Sequence, residues 1–70
     1  MDKTRVGRRI KAFRKLKGFT QLELAKELEI PISVLGGVER GTREPSEVLI
    51  QKVSETLNID TEEIIPKEED

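Results

Sequence analysis

A chain of 70 residues with no cysteine has room for one compact core, which must hold together by packing alone, without disulfide bonds or thiolate metal sites. The absence of histidine, cysteine and tyrosine removes most side chains that exchange protons or bind metals near neutral pH, so we expect no enzyme, no metal and no cofactor. No apolar run approaches the roughly 20 residues of a membrane span, and we expect a cytoplasmic protein with no membrane role.

The net charge of −1 hides an asymmetry along the chain. Through residue 18, eight basic side chains face one acid, a local charge of +7, whereas from Asp60 onward six acids face one lysine, a local charge of −5. A basic N-terminal third can supply charge that binds phosphates, and the acidic end would repel such a ligand nearby. The alternative is that both runs are solvated surface.

Hydrophobic periodicity predicts a first helix from about Thr4 to Lys17. Its apolar positions fall at i, i+4 and i+7 and share one stripe: Val6, Ile10 and Phe13. Gly18 then favours a helix end, because glycine readily adopts the left-handed conformation found there.

Two shorter helices follow. Thr20 with Glu23 three residues later is typical of a capping box that opens helix two. Pro31 stands where helix three should begin, and Gly41 where it should end. The predicted inward residues of the two helices are Leu24, Ala25, Leu28, Leu35 and Val38.

The last third predicts two more helices. Ser46 can cap helix four, whose inward residues are spaced as Ile50, Val53 and Leu57. Asp60 and Glu63 repeat the capping pattern before a short helix five. We therefore expect an all-α fold, a compact five-helix bundle over residues 1–65, followed by a charged, disordered tail at 66–70.

Helices two and three are joined by only a few residues around Glu29 to Pro31, which is the helix-turn-helix arrangement. Spacing alone is a weak signal, since many helical bundles contain such a pair. The motifs are stronger: GFTQLELAKELEIP at residues 18–31, VERG at 38–41 and PS at 45–46 resemble the Cro and lambda-repressor family. The resemblance covers residues 6–65. It implies a lambda-repressor-like DNA-binding domain and a transcriptional regulator, commonly a repressor.

The resemblance also implies contacts to the DNA backbone. Gln21, at the start of helix two, resembles the glutamine that contacts a phosphate and braces the recognition helix, and we expect Thr20 beside it to contact a phosphate as well. Arg40, Thr42 and Arg43 lie where relatives commonly touch the backbone, with the minor groove as an alternative for Arg43. The alternative is that Arg40, Thr42 and Arg43 are ordinary exposed polar residues without a DNA contact.

Helix three is the recognition helix by analogy. The 100° step between residues turns Ser33, Gly36, Gly37 and Arg40 away from the core and leaves Ile32 at the edge of the apolar stripe. We expect Ile32, Ser33, Gly36 and Gly37 to contact bases in the major groove. Two mid-helix glycines cost about 2 kcal/mol relative to alanine. They predict either close approach of another surface or a tolerated helix defect.

Arg14 and Glu39 flank the apolar stripes of helices one and three. The resemblance implies that they form a partly buried salt bridge between these helices. Their role is then structural, and removing one partner would cost on the order of 3 kcal/mol if burial is deep.

One such domain contacts only half of an operator, so we expect a homodimer on double-stranded DNA with inverted repeats. Val48 and Leu49 lie off the inward stripe of helix four, and Ile65 ends helix five. We expect these apolar side chains to be exposed and to form the dimer interface, unless they are isolated surface residues. The alternative function is a protein-interaction module with weak or no DNA binding, suggested by Gly36, Gly37 and the overall acidity. Salt-dependent binding to duplex DNA distinguishes the two.

Overall fold

A computed structural model describes residues 2–65, which form five helices. Their bounds are α1 (Lys3–Leu16), α2 (Gln21–Leu28), α3 (Ile32–Arg40), α4 (Glu47–Leu57) and α5 (Thr61–Ile64). No strand occurs between residues 2 and 65, and the all-α prediction is confirmed. The tail expected to be disordered, residues 66–70, lies outside the described residues.

The helix starts follow from local capping. Asp2 caps α1, Thr20 and Glu23 form the predicted capping box of α2, and the Ser46 hydroxyl accepts from the Leu49 amide at 3.1 Å. The capping pattern predicted for α5 is wrong, because the Asp60 side chain makes no capping hydrogen bond. The amide of Glu63 instead donates to the Asp60 backbone carbonyl at 2.9 Å, which closes this single turn without the carboxylate.

Helices α1 to α4 end in the same way. A residue in left-handed conformation follows each helix or its last turn, and the next amide donates back to the carbonyl five residues earlier, as in a Schellman motif. The left-handed residues are Gly18, Glu29, Gly41 and Asn58. At three of these ends the next residue is apolar and packs on the core; these residues are Phe19, Ile30 and Ile59. At the end of α3 it is Thr42, which is exposed.

The core draws side chains from all five helices. Its buried members are Val6, Ile10, Leu24, Ala25, Leu28, Leu35, Val38, Leu49, Ile50, Val53, Leu57 and Ile64. The expectation that Leu49 is exposed is wrong, since only 8% of its surface is accessible. Because α4 packs against α1, α2 and α5, its buried arc is wider than the stripe of Ile50, Val53 and Leu57.

The backbones of α1 and α3 approach each other very closely at Gly7. A Cβ atom there would overlap the carbonyl oxygen of Val38 and lie 3.0 Å from that of Glu39. The absence of a side chain at Gly7 therefore sets the distance at which α3 packs on α1.

Across residues 2–65, none of the helices combines the length and the apolar character needed to cross a membrane.

Candidate nucleic-acid interface

The connection between α2 and α3 is a three-residue turn. Glu29 ends α2 with φ 58°, and the Ile30 amide donates to the Ala25 carbonyl at 3.0 Å while its side chain packs on the core. Pro31 then fixes an extended conformation, and its carbonyl accepts from the amide of Val34 at 3.0 Å. The turn thus fixes the angle between the two helices by backbone bonds and one apolar anchor.

A buried polar network ties α3 to the two helices before it. Arg14 donates from Nε to Oε2 of Glu39 at 2.7 Å and from Nη2 to Oε1 at 3.0 Å. Its Nη1 donates to the carbonyl of Phe19 at 2.9 Å. Only 9% of the Arg14 side chain and 2% of the Glu39 side chain are exposed. The salt bridge implied by the family resemblance is therefore present, in bidentate form.

Gln21 completes this network from the first turn of α2. Its Nε2 donates to Oε1 of Glu39 at 3.1 Å, so the bracing of α3 expected for Gln21 is present. Within residues 2–65 no buried side-chain nitrogen or oxygen lacks a hydrogen-bond partner. A fully satisfied network of this kind gives α1, α2 and α3 one relative arrangement.

The capping box keeps the turn that carries Gln21 ordered. Glu23 accepts from the backbone amide of Thr20 at 2.8 Å, and its own amide donates to the Thr20 hydroxyl at 3.1 Å. The backbone hydrogen bond from Thr20, followed by the side-chain one, lowers the pKa of Glu23 below its usual value of 4.5. Glu23 is therefore ionised near neutral pH, when it complements the positive end of α2.

Exposed side chains surround α3 on the surface away from the core. Ile32 is 44% exposed in the first turn of the helix, and Ser33 beside it is also exposed. Several of the predicted phosphate contacts lie beside the middle of the helix. Gln21 lies beside Gly36. Thr42 and Arg43 lie beside Gly37. Of the predicted phosphate contacts, Gln21 is half-buried and the others are exposed; these are Thr20, Arg40, Thr42 and Arg43.

Gly36 and Gly37 face away from the core, as their spacing predicts, yet both are buried. The 100° rotation between successive helix residues predicts their direction correctly, but it does not predict which other side chains lie over them. Side chains of the protein itself lie over them, from Gln21 and Arg40 on Gly36 and from Thr42 and Arg43 on Gly37. The surface that approaches the two glycines in the free protein is therefore its own.

The sequence pattern of the helix-turn-helix family matches residues 10–64. The chain belongs to this family. The helix-turn-helix transcriptional regulator YazB of Bacillus subtilis, whose role is uncharacterised, is 55% identical over 62 residues, covering 89% of this chain and 90% of YazB.

Two solved structures are also similar. The restriction-modification controller protein C.AhdI of Aeromonas hydrophila superimposes with a TM-score of 0.86 at 38% identity, covering 91% of this chain and 97% of the other. The N-terminal DNA-binding domain of SinR from Bacillus subtilis gives a TM-score of 0.82 at 32% identity over 93% of this chain and 96% of that domain. The predicted family and fold are confirmed.

Two contributors to the site were missed at the sequence level. Gly7, which sets the distance between α1 and α3, is marked only by being a glycine inside a helix beside the buried Val6, a pattern that often has a packing reason. The Phe19 carbonyl, which holds the second side of the Arg14 guanidinium, is a backbone atom and leaves no signal in the sequence.

Proposed function

We propose that this chain is a DNA-binding transcriptional regulator that places α3 in the major groove and binds an inverted-repeat operator as a two-fold dimer. Its membership of the helix-turn-helix family supports this function. So do the names of its relatives, which include the transcriptional regulator YazB and the DNA-binding domain of SinR. The function is binding and requires no catalysis or cofactor.

The observation that carries the proposal is the arrangement of exposed groups around α3. Ile32 and Ser33 occupy its first turn, the part of a recognition helix that reaches base edges. The edge of Ile32 suits a thymine methyl group, and the Ser33 hydroxyl can donate to or accept from a base. Arg40 and Arg43 are exposed further along and suit phosphates. This gives few direct base contacts and a larger backbone contribution.

The first test is a salt titration. Duplexes selected by the protein from a random-sequence pool, and one unrelated duplex, would be titrated between low and moderate salt. Wild-type affinity should fall linearly on logarithmic axes, and Arg43→Ala should make the slope shallower by about one unit. Lys52→Ala, which removes another exposed basic side chain, on α4, is the matched control and should leave the slope unchanged.

Equal slopes for wild type and Arg43→Ala would show that Arg43 contacts no phosphate. A wild-type protein that shows no salt-dependent affinity for any duplex would overturn DNA binding itself. The protein-interaction alternative would then remain as the function of the domain.

The dimer surface we propose is centred on Val48 and Ile65. Val48 is 67% exposed on α4, and Ile65 is half-buried beside a shallow cavity of about 200 Å³ between α4 and α5. Leu49 belongs to the core, with 8% of its surface accessible, and we leave it out of the proposed surface. Apolar side chains that form one exposed patch commonly mark association surfaces, and we propose that Val48 and Ile65 belong to such a patch.

Val48→Glu should therefore give a folded monomer that binds its operator more weakly, because a charge would be placed in the apolar contact. Sedimentation measures the mass. Leu16→Glu is the matched control, since Leu16 is 75% exposed on α1, far along the chain from α4, and this variant should keep the wild-type mass. A dimer mass for Val48→Glu would exclude this surface.

A further inference from the structure

Two adjacent glycines in the middle of α3 are buried on the side that faces away from the core. Leu35 and Val38 point into the core, so Gly36 and Gly37 face the opposite side of the helix. Glycine weakens a helix interior, because it loses more backbone freedom on folding than alanine does. Their presence at two consecutive positions calls for a local reason.

At Gly36 the local reason is the side chain of Arg40. A Cβ atom at position 36 would lie 3.0 Å from Nη1 of Arg40 and 3.7 Å from both amide heteroatoms of Gln21. Arg40 lies one turn further along α3, and helical side chains lean toward the N-terminus. Its guanidinium therefore lies back along the helix onto the bare backbone of Gly36, with Gln21 on the other side.

At Gly37 the neighbour is Arg43. A Cβ atom at position 37 would lie 3.3 Å from Cβ and 3.8 Å from Cδ of Arg43, and 3.6 Å from the Thr42 hydroxyl oxygen. The carbonyl of Gly37 accepts from the amide of Thr42 at 3.0 Å, from that of Arg43 at 3.2 Å and from the Thr42 hydroxyl at 3.2 Å. The chain after α3 is thus folded back so that the stem of Arg43 lies on Gly37.

We propose that Gly36 and Gly37 are positioning residues for Arg40 and Arg43, each glycine providing the space against which one arginine lies. Holding a long side chain in one direction before binding removes part of the entropy cost of ordering it on a partner. The inference rests on the proposed function, because the two arginines act here as ligands of duplex DNA phosphates. In this proposal Gly36 and Gly37 do not contact bases themselves; they influence DNA binding through the side chains of Arg40 and Arg43.

Double-mutant cycles at one salt concentration test the pairing. Using the selected duplex, Gly36→Ala should weaken binding by about twofold to tenfold in the wild-type background and have no further effect in Arg40→Ala. Gly37→Ala should behave in the same way with Arg43→Ala. The crossed pairs, Gly36 with Arg43 and Gly37 with Arg40, are the matched controls and should be additive. The losses should be equal on the unrelated duplex, since phosphates carry no sequence information.

A different outcome overturns the proposal. If the added methyl group weakens binding equally after the arginine is removed, and only on the selected duplex, the glycines touch the DNA themselves. If neither glycine variant changes affinity, the arginines need no such space.

A second measurement on the free protein separates this proposal from the proposed function. The arginine Nε–Hε signals in NMR spectra should change for Arg40 in Gly36→Ala and for Arg43 in Gly37→Ala, with the other arginine unaffected. This pattern would support the positioning role even if the wild-type protein bound no duplex, a result that would remove only the DNA-binding function. Unchanged arginine signals in both variants would show that the glycines position neither side chain.

Discussion

Glycines allow close packing on two sides of α3: Gly7 of α1 on one side, and Gly36 and Gly37 of α3 itself on the other. The two contacts differ in how easily they can adjust. On the α1 side, the space at Gly7 is filled by backbone carbonyl groups of Val38 and Glu39. On the other side, the space at Gly36 and Gly37 is filled by side-chain atoms of two arginines and their neighbours. At Gly7 the neighbours are backbone atoms, which cannot move without moving the helix, so this contact fixes the position of α3. At Gly36 and Gly37 the neighbours are side chains, which can rotate, so these contacts affect the direction of the exposed side chains.

The largest effect is expected on the α1 side, from the salt bridge between Arg14 and Glu39. Glu39→Gln leaves the Arg14 guanidinium buried without its anion, which should lower the free energy of unfolding by about 3 to 5 kcal/mol. Urea denaturation at neutral pH measures it. The control is the double variant Arg14→Met/Glu39→Met, which removes both charges and should recover most of the lost stability. A Glu39→Gln protein as stable as wild type would show that this pair does not hold α1 and α3 together.

Gly7→Ala comes next and tests the backbone contact directly. The added methyl group overlaps a carbonyl oxygen, so α1 and α3 must separate, and overpacking of this kind costs about 1 to 3 kcal/mol, only partly offset by better helix propensity. We expect a lower urea midpoint with an unchanged slope. An increase in stability would contradict the distinction between the two sides of α3.

The smallest effects are expected at the glycine pair. Gly36→Ala should raise the free energy of unfolding by up to about 1 kcal/mol, because the flexible end of Arg40 can move away. Gly37→Ala should stay within about 0.5 kcal/mol of wild type, because the gain in helix propensity is offset by displacing Cβ of Arg43, which is held near the backbone. Thermal melts compared in parallel decide the order. A loss as large as that of Gly7→Ala at either position would remove the contrast.

The sequence predicted the elements of this fold well, because its local signals agree with one another. Thr20 and Glu23 mark the start of α2, Gly41 marks the end of α3, and the spacing of Leu35 and Val38 identifies the buried side of α3. These features depend on residues close together in the chain, whose geometry is known once a helix is assumed.

Burial at Leu49 and at the glycine pair could not be obtained in this way. Periodicity gives the direction of a residue around its own helix, but whether that direction is covered depends on other elements. Leu49 is covered because several helices surround α4, and Gly36 is covered because Arg40 folds back over it. Both require knowledge of contacts across the fold and of the rotamers of long side chains.

The network of Arg14, Glu39 and Gln21 has a consequence for the nucleic acid. Since it joins three helices through hydrogen-bonded groups that are buried or half-buried, we expect α1, α2 and α3 to keep one relative arrangement on a poorly matching DNA site. In the proposed dimer, the duplex would then have to bend or twist to bring both half-sites onto two fixed surfaces. Base pairs between the half-sites, touched by no side chain, would influence affinity through their stiffness, so flexible steps there would be favoured over stiff ones.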